Sequence, residues 1–153
     1  MAPSAYLDAL KMLARRELSE AQVRQRLARR GHEADEVDAA VARLKAERAI
    51  DDARTAAAIA RIETTLRRRG RIRVRLQIER AGIGAPTARR AVDEAFAAID
   101  EEALIEAALA KRLRGGADIS GERERQRLYR YLVGQGFDAE QVARVIAAHR
   151  RRE

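Results

Sequence analysis

Residues 23–44, VRQRLARRGHEADEVDAAVARL, return as residues 74–95, VRLQIERAGIGAPTARRAVDEA, and again as residues 128–146, LYRYLVGQGFDAEQVARVI. Val23, Leu27, Gly31, Val37, Val41 and Leu44 of the first stretch correspond to Val74, Ile78, Gly82, Ala88, Val92 and Ala95 of the second. They correspond again to Leu128, Leu132, Gly136, Val142 and Ile146 of the third. The offset is constant within each copy, 51 residues from 23 to 74 and 54 from 74 to 128. Apolar residues four apart followed by glycine describe a helix that glycine stops, and the face that recurs at i, i+4 and i+7 describes a second helix after it. Self-similarity at a period in this range is the signature of a tandem array.

Each copy opens with one more helix, introduced by a residue suited to capping. Ser4, Asp51 and Asp100 stand at these starts, followed in the later copies by Asp52, Glu101 and Glu102. Their oxygens accept the unpaired N–H groups of a first helical turn, and the extra carboxylates suit its positive end. Tyr6, Leu10 and Leu13 give the apolar face expected of the first opening helix, Ile59, Ile62 and Leu66 that of the second, and Ile105 and Leu109 that of the third. Ser19 with Gln22 three residues on reads as a capping box, and Pro86 suits a helix start. The predicted helices span 4–16, 19–30, 33–48, 51–68, 71–81, 86–98, 100–114, 120–134 and 138–151. No segment keeps a period of two for long, and the chain is rich in Ala, Arg, Leu and Glu. The fold expected is all-α: three tandem three-helix repeats, residues 1–49, 50–98 and 99–153, forming an elongated, curved rod. Each repeat is too small for a large core and leans on its neighbour.

Composition narrows the function. The 153 residues include no cysteine, which excludes disulfides and thiolate metal sites and suits a reducing cytoplasm. No stretch approaches the length of a membrane span, and the chain start lacks a hydrophobic signal segment. The formal net charge is +8, carried by arginine, with only Lys11, Lys45 and Lys111 as lysines. Such a balance favours polyanionic partners, although arginine at the expense of lysine also follows from a GC-rich genome, and Arg- and Glu-laced helix surfaces are often only solvated.

The arginines are not evenly spread. Arg61, Arg67, Arg68, Arg69, Arg71, Arg73 and Arg75 crowd the end of one predicted helix and the start of the next, with Glu63 alone to offset them. That density repels itself unless it meets an anion, and a phosphate backbone supplies one. Pairing with acids of a neighbouring copy, or with a helix C-terminus, is the competing use. Aromatics are 3% of the residues, too few for a platform on which unpaired bases stack, and the predicted helix 86–98 offers few side chains that read base edges. Backbone contact without base reading is what the chain can offer nucleic acid.

Catalysis finds no constellation. His32 and His149 lie in different copies and read as surface residues near helix ends. Gly82, Ile83 and Gly84 begin like a dinucleotide loop, but Pro86 and Thr87 follow and no strand precedes. Asp51 and Asp52 are adjacent on a helix start, where their side chains diverge and capping accounts for both. No catalytic residue, metal or cofactor is expected.

In order, these residues resemble the RecX family, regulatory proteins that act on the RecA recombinase. The first-copy pattern stands as Ala9, Leu10, Leu13, Arg16, Ser19, Leu27, Gly31 and Leu44, and the family's Leu-Asp-Asp-x-Arg-Phe-Ala element as Ile50, Asp51, Asp52, Arg54, Thr55 and Ala56. Arg68, Arg69 and Gly70 match its basic turn, Ile78, Gly82 and Ile83 its second helix end, and Tyr131, Leu132, Gly136 and Phe137 its Tyr-Leu and Gly-Phe pairs. Thr55 stands where an aromatic is usual and Ile78 where leucine is common. The resemblance covers nearly all of the chain and implies a protein lying in the helical groove of the RecA filament on DNA; a monomer is expected. The resemblance further implies inhibition of that filament's ATPase, strand-exchange and co-protease activities. The arginine cluster would then touch single- or double-stranded DNA through phosphates, or acidic filament surface; the alternative is a sequence-nonspecific DNA-binding helical protein acting without recombinase.

Overall fold

The computed structural model describes residues 4–152, and these hold nine α-helices and no strand. In chain order they are α1 (Ala5–Arg15), α2 (Glu20–Arg29), α3 (Ala34–Ala46), α4 (Asp52–Thr65), α5 (Arg71–Arg80), α6 (Ala85–Phe96), α7 (Glu101–Arg114), α8 (Glu122–Gly134) and α9 (Ala139–Arg152). Each predicted helix is present, most with ends within a residue or two of those expected. The exception is α4, which stops three residues early because Arg68 turns into the left-handed region at φ 51°. There the Arg67 N–H donates to Ile62 O and the Arg69 N–H to Glu63 O.

The caps are where the sequence put them. Ser4 Oγ accepts from the Leu7 N–H at 3.1 Å, Asp51 Oδ1 from the Arg54 N–H at 3.1 Å, and Asp100 Oδ1 from the Ala103 N–H at 3.1 Å. The capping box of α2 is complete, with Ser19 Oγ accepting from the Gln22 N–H and Gln22 Oε1 accepting from the Ser19 N–H. Asp52, adjacent to Asp51, accepts the Glu20 N–H at 2.9 Å, so both carboxylates serve backbone donors. The register of the repeat also holds. Gly31, Gly82 and Gly136 all take positive φ, at 89°, 81° and 98°, and close α2, α5 and α8. Val23, Leu27, Val74, Ile78, Leu128 and Leu132, the residues eight and four before them, are all buried.

The described residues divide into two compact units. One takes in the chain up to Ile59 together with Gln77–Ala91; the other takes in Ala60–Leu76 and the chain from Val92 onward. The core of the first unit is Leu18, Val23, Leu27, Val37, Val41, Leu44 and Ile50, with Ala5, Ala9 and Met12 of α1 laid against it. Arg54 clamps the end of α3, its guanidinium donating to Arg48 O at 2.8 Å and Ala49 O at 3.2 Å while Nε reaches Glu17 at 2.7 Å. In the same unit the start of α2 abuts the end of α5: Ser19 Oγ donates to Ala81 O, and a Cβ on Gly82 would collide with Ala21. Thr55, which stands in place of an aromatic, is buried and donates from Oγ1 to Leu18 O at 3.4 Å.

The second unit has its own core of Ile105, Leu109, Ile119, Leu128, Leu132, Phe137, Val142, Val145 and Ile146. It contains a joint of the same kind as the first. The start of α5 abuts the end of α8, with the Gly70 N–H donating to Gln135 O at 2.9 Å and the Ile72 N–H to Gly136 O at 3.1 Å. A Cβ on Gly70 would collide with the Gly136 backbone, and one on Gly136 with Arg73.

Two apolar faces differ from expectation. In α1 the deeply buried residues are Ala5, Asp8, Ala9 and Met12, and Tyr6, Leu10 and Leu13 only flank the core. In α4 the buried residues are Thr55, Ala56, Ala60, Glu63 and Thr64, whereas Ile62 and Leu66 face solvent and Ile59 is half-buried. The cause is common to both helices. Alanine lets a backbone approach closely, so the contact line follows the small residues and the larger ones are turned aside.

Candidate interaction surface

The seven arginines fall on the last turns of α4, the turn at 66–70 and the first turns of α5. Two of them belong to the fold. Arg71 donates to Asp93 Oδ1 at 2.8 Å, lies 3.2 Å from Glu101 Oε1, and sits over the Phe96 ring with 5.2 Å to the centroid. Asp93, and after it Glu101, hold the Arg71 guanidinium protonated above its ordinary range against the opposing effect of burial. Arg73 runs along the joint with α8, donates from Nη1 to Gly134 O at 3.3 Å, and has its Nε covered without a partner. The offsetting acids are therefore not Glu63 alone. Asp93 and Glu101 come from α6 and α7, too distant in sequence to be linked to Arg71 by spacing.

The remaining members are differently placed. Arg67 pairs with the buried Glu63 at 3.2 Å within one helical turn. Arg69 is half-buried at the turn, with its Nε covered and unpartnered. Arg61, Arg68 and Arg75 are exposed. Among the described residues, Arg61 and Arg68 make no ion pair, so their charges are presented to solvent. Between and beside these arginines, Ile62, Leu66, Ile72 and Leu76 are exposed by 44%, 77%, 63% and 39%. They are four of the six large apolar side chains that the described residues expose. The stretch thus sets exposed positive charge beside exposed aliphatic side chains.

A second cluster lies in the first unit around His32, whose side chain is largely covered and not, as its place near a helix end suggests, at the surface. His32 Nε2 is 2.7 Å from Asp8 Oδ2 and Nδ1 is 3.4 Å from Glu36; the imidazole and the Asp8 carboxylate are both largely covered. Arg30 approaches Asp8 from the other side at 3.5 Å. The hydrogen bond from His32 draws the Asp8 carboxyl below its usual range, and the same bond raises the imidazole above its own. The pair borders a cavity of about 750 Å³ with Ser4, Tyr6 and Arg43. Glu36, one turn from His32, is visible in sequence as a neighbour, but Asp8 is not, because no spacing rule links positions 24 apart.

In the second unit, Tyr129 stands beside Ala143, Ile146 and Ala147 in a groove of about 570 Å³ between α8 and α9, edged by Arg125, Arg150 and Arg151. Phe137 is buried, and Tyr131 is half-buried under the Arg112 guanidinium, which lies 3.7 Å from its ring centroid. His149 is half-buried on α9. No described group of three or more His, Cys, Asp or Glu side chains is disposed to hold a metal ion, and no described helix is long and apolar enough to cross a membrane.

Comparison with known proteins accords with this architecture. Residues 5–44 match the model of the RecX first three-helix domain and residues 100–146 that of the RecX third three-helix domain. The regulatory protein RecX of Chromohalobacter salexigens is 36% identical over 142 residues, covering 92% of this chain and 89% of its own. That of Halorhodospira halophila is 31% identical over 141 residues, covering 92% and 84%. The crystal structure of RecX from Lactobacillus salivarius superposes with a TM-score of 0.77 at 19% identity over 94% of this chain and 93% of that one, a likeness of fold. With two domain models matched in order, and relatives aligned along nearly the full length of both chains, this protein belongs to the RecX family of regulatory proteins.

Proposed function

We propose that this protein binds the RecA recombinase filament on DNA, in its helical groove, and inhibits its ATPase, strand-exchange and co-protease activities. It acts in the cytoplasm as a monomer, without chemistry of its own. The observation that carries this reading is family membership along nearly the whole chain, with relatives named as regulatory proteins. The arginine stretch fits the role: Arg61 and Arg68 carry charge that no acid of the described chain neutralises, and Arg67, Arg69 and Arg75 lie beside them. In this reading Arg71 and Arg73 hold the scaffold and the other five meet phosphate or acidic protein. Of the three-helix repeats at 1–49, 50–98 and 99–153, the second carries these contacts.

A second reading, a DNA-binding protein that works without recombinase, draws on the net charge of +8 and the unpaired arginines, which do not themselves distinguish DNA from protein. The two separate in one assay: anisotropy of a labelled single-stranded oligonucleotide, bare or coated with RecA and a non-hydrolysable ATP analogue. The regulatory reading expects binding to the coated strand to be tighter by at least about tenfold, or 1.4 kcal/mol. Equal affinity for both, falling steeply with salt, would favour the second reading.

A further inference from the structure

We infer that the outer face formed by the end of α4 and the start of α5 is a protein-docking surface for an acidic partner surface with apolar groups at its centre, distinct from any contact with phosphate. The helical repeat makes the face. Ile62 lies about 200° round the helix from the buried Ala60, and Leu66, the residue after α4, donates its N–H to Ile62 O at 3.0 Å and so stands one turn on. On α5, Ile72 and Leu76 stand in the same relation to the buried Val74. Each helix thus shows solvent an i, i+4 pair of branched aliphatic side chains directly opposite its buried side. Leu66 and Ile72 are six residues apart, so their Cα atoms lie within about 20 Å, inside the footprint of one partner.

Phosphate gives these four side chains nothing. A nucleic-acid backbone is met by charge and hydrogen-bond donors, and an aliphatic side chain against it only loses solvent without gaining packing. Protein interfaces, by contrast, are enriched in arginine and depleted in lysine, with a dry apolar centre inside a polar rim. The stretch 61–75 carries seven arginines and no lysine, and Arg61 and Arg68 are exposed without an ion pair beside the exposed Ile62, Leu66 and Ile72. Charge complementarity therefore asks for carboxylates around an apolar centre on the partner.

This assignment rests on the regulatory reading above for the identity of the partner, the recombinase in its filament. The test compares the full chain with Leu66→Ser/Ile72→Ser and, separately, Ile62→Ser/Leu76→Ser. Both replace exposed side chains, and circular dichroism checks that helicity is retained. Anisotropy is measured on the bare labelled oligonucleotide and on the RecA-coated one. The expected result is a loss of about a hundredfold on the coated strand for Leu66→Ser/Ile72→Ser, with affinity for the bare strand within about twofold of the parent. Unchanged affinity of both variants for the coated strand would overturn the assignment. An equal loss on bare and coated strands would overturn it too, in favour of a nucleic-acid contact. If the parent chain itself fails to prefer the coated strand, the regulatory reading falls and the assignment with it, a result separable from the first two because it needs no variant.

Discussion

Arginine side chains with the same charge hold different positions here, and what each touches decides what its removal does. Arg71, held by Asp93 and Glu101 and resting over Phe96, is expected to cost about 1 kcal/mol of stability as Arg71→Ala, a value kept small because its guanidinium is partly exposed. Arg61→Ala and Arg68→Ala are expected to leave the melting temperature within about a degree and to weaken binding to the RecA-coated strand in a salt-dependent way. Thermal denaturation and salt-titrated anisotropy of the three variants check this; a destabilised Arg68→Ala would contradict it. Asp8 and His32 supply the pH dependence. Because the folded His32 titrates above its ordinary value, its contribution is full below about pH 6.5 and is lost as pH rises through the raised value. Because the folded Asp8 titrates below its own, its contribution is full above about pH 3.9 and is lost as pH falls through the lowered value. Stability from the pair is therefore greatest between about pH 4 and 6.5. Melting temperatures measured from pH 4 to 9 are expected to decline on the alkaline side in the parent and to lose that decline in His32→Gln; identical profiles would contradict the account.

At the scale of the element, the closing glycines separate conformation from packing. Gly31 and Gly136 share a positive φ, but a Cβ on Gly31 meets open space whereas one on Gly136 meets Arg73 at a joint between helices. Gly31→Ala is expected to cost about 1 kcal/mol for the left-handed backbone alone, and Gly136→Ala distinctly more, about 3 kcal/mol, because the joint must open as well. Urea denaturation of the two variants tests the order, and equal costs would contradict it. These glycines were legible in sequence because a left-handed helix end admits few other residues, and the capping acids were legible because their partners lie three residues away. The inner faces of α1 and α4 were not. Amphipathic reading follows the large apolar residues, and in both helices the contact line runs along Ala5 and Ala9, or Ala56 and Ala60, leaving Ile62 and Leu66 outside. The arginine stretch was legible as a charge density, but its division into scaffold and surface depends on Asp93, Glu101 and the backbone of α8, which only the folded chain brings near.

For the whole molecule, the sequence carries a net charge of +8, and four of the five large aliphatic side chains that the described residues expose lie in one arginine-rich stretch, 61–76. The proposed binding to a recombinase filament draws its support from membership of the RecX family of regulatory proteins. A regulator that blocks or dismantles a filament affects many subunits with each binding event, so its effect should outrun its stoichiometry. The most direct test is the single-strand-DNA-dependent ATPase rate of the RecA protein from the same organism as this protein is titrated from far below equimolar. Loss of ATPase at substoichiometric ratios is the expected result. An unchanged rate at every ratio, with DNA binding intact, would contradict it.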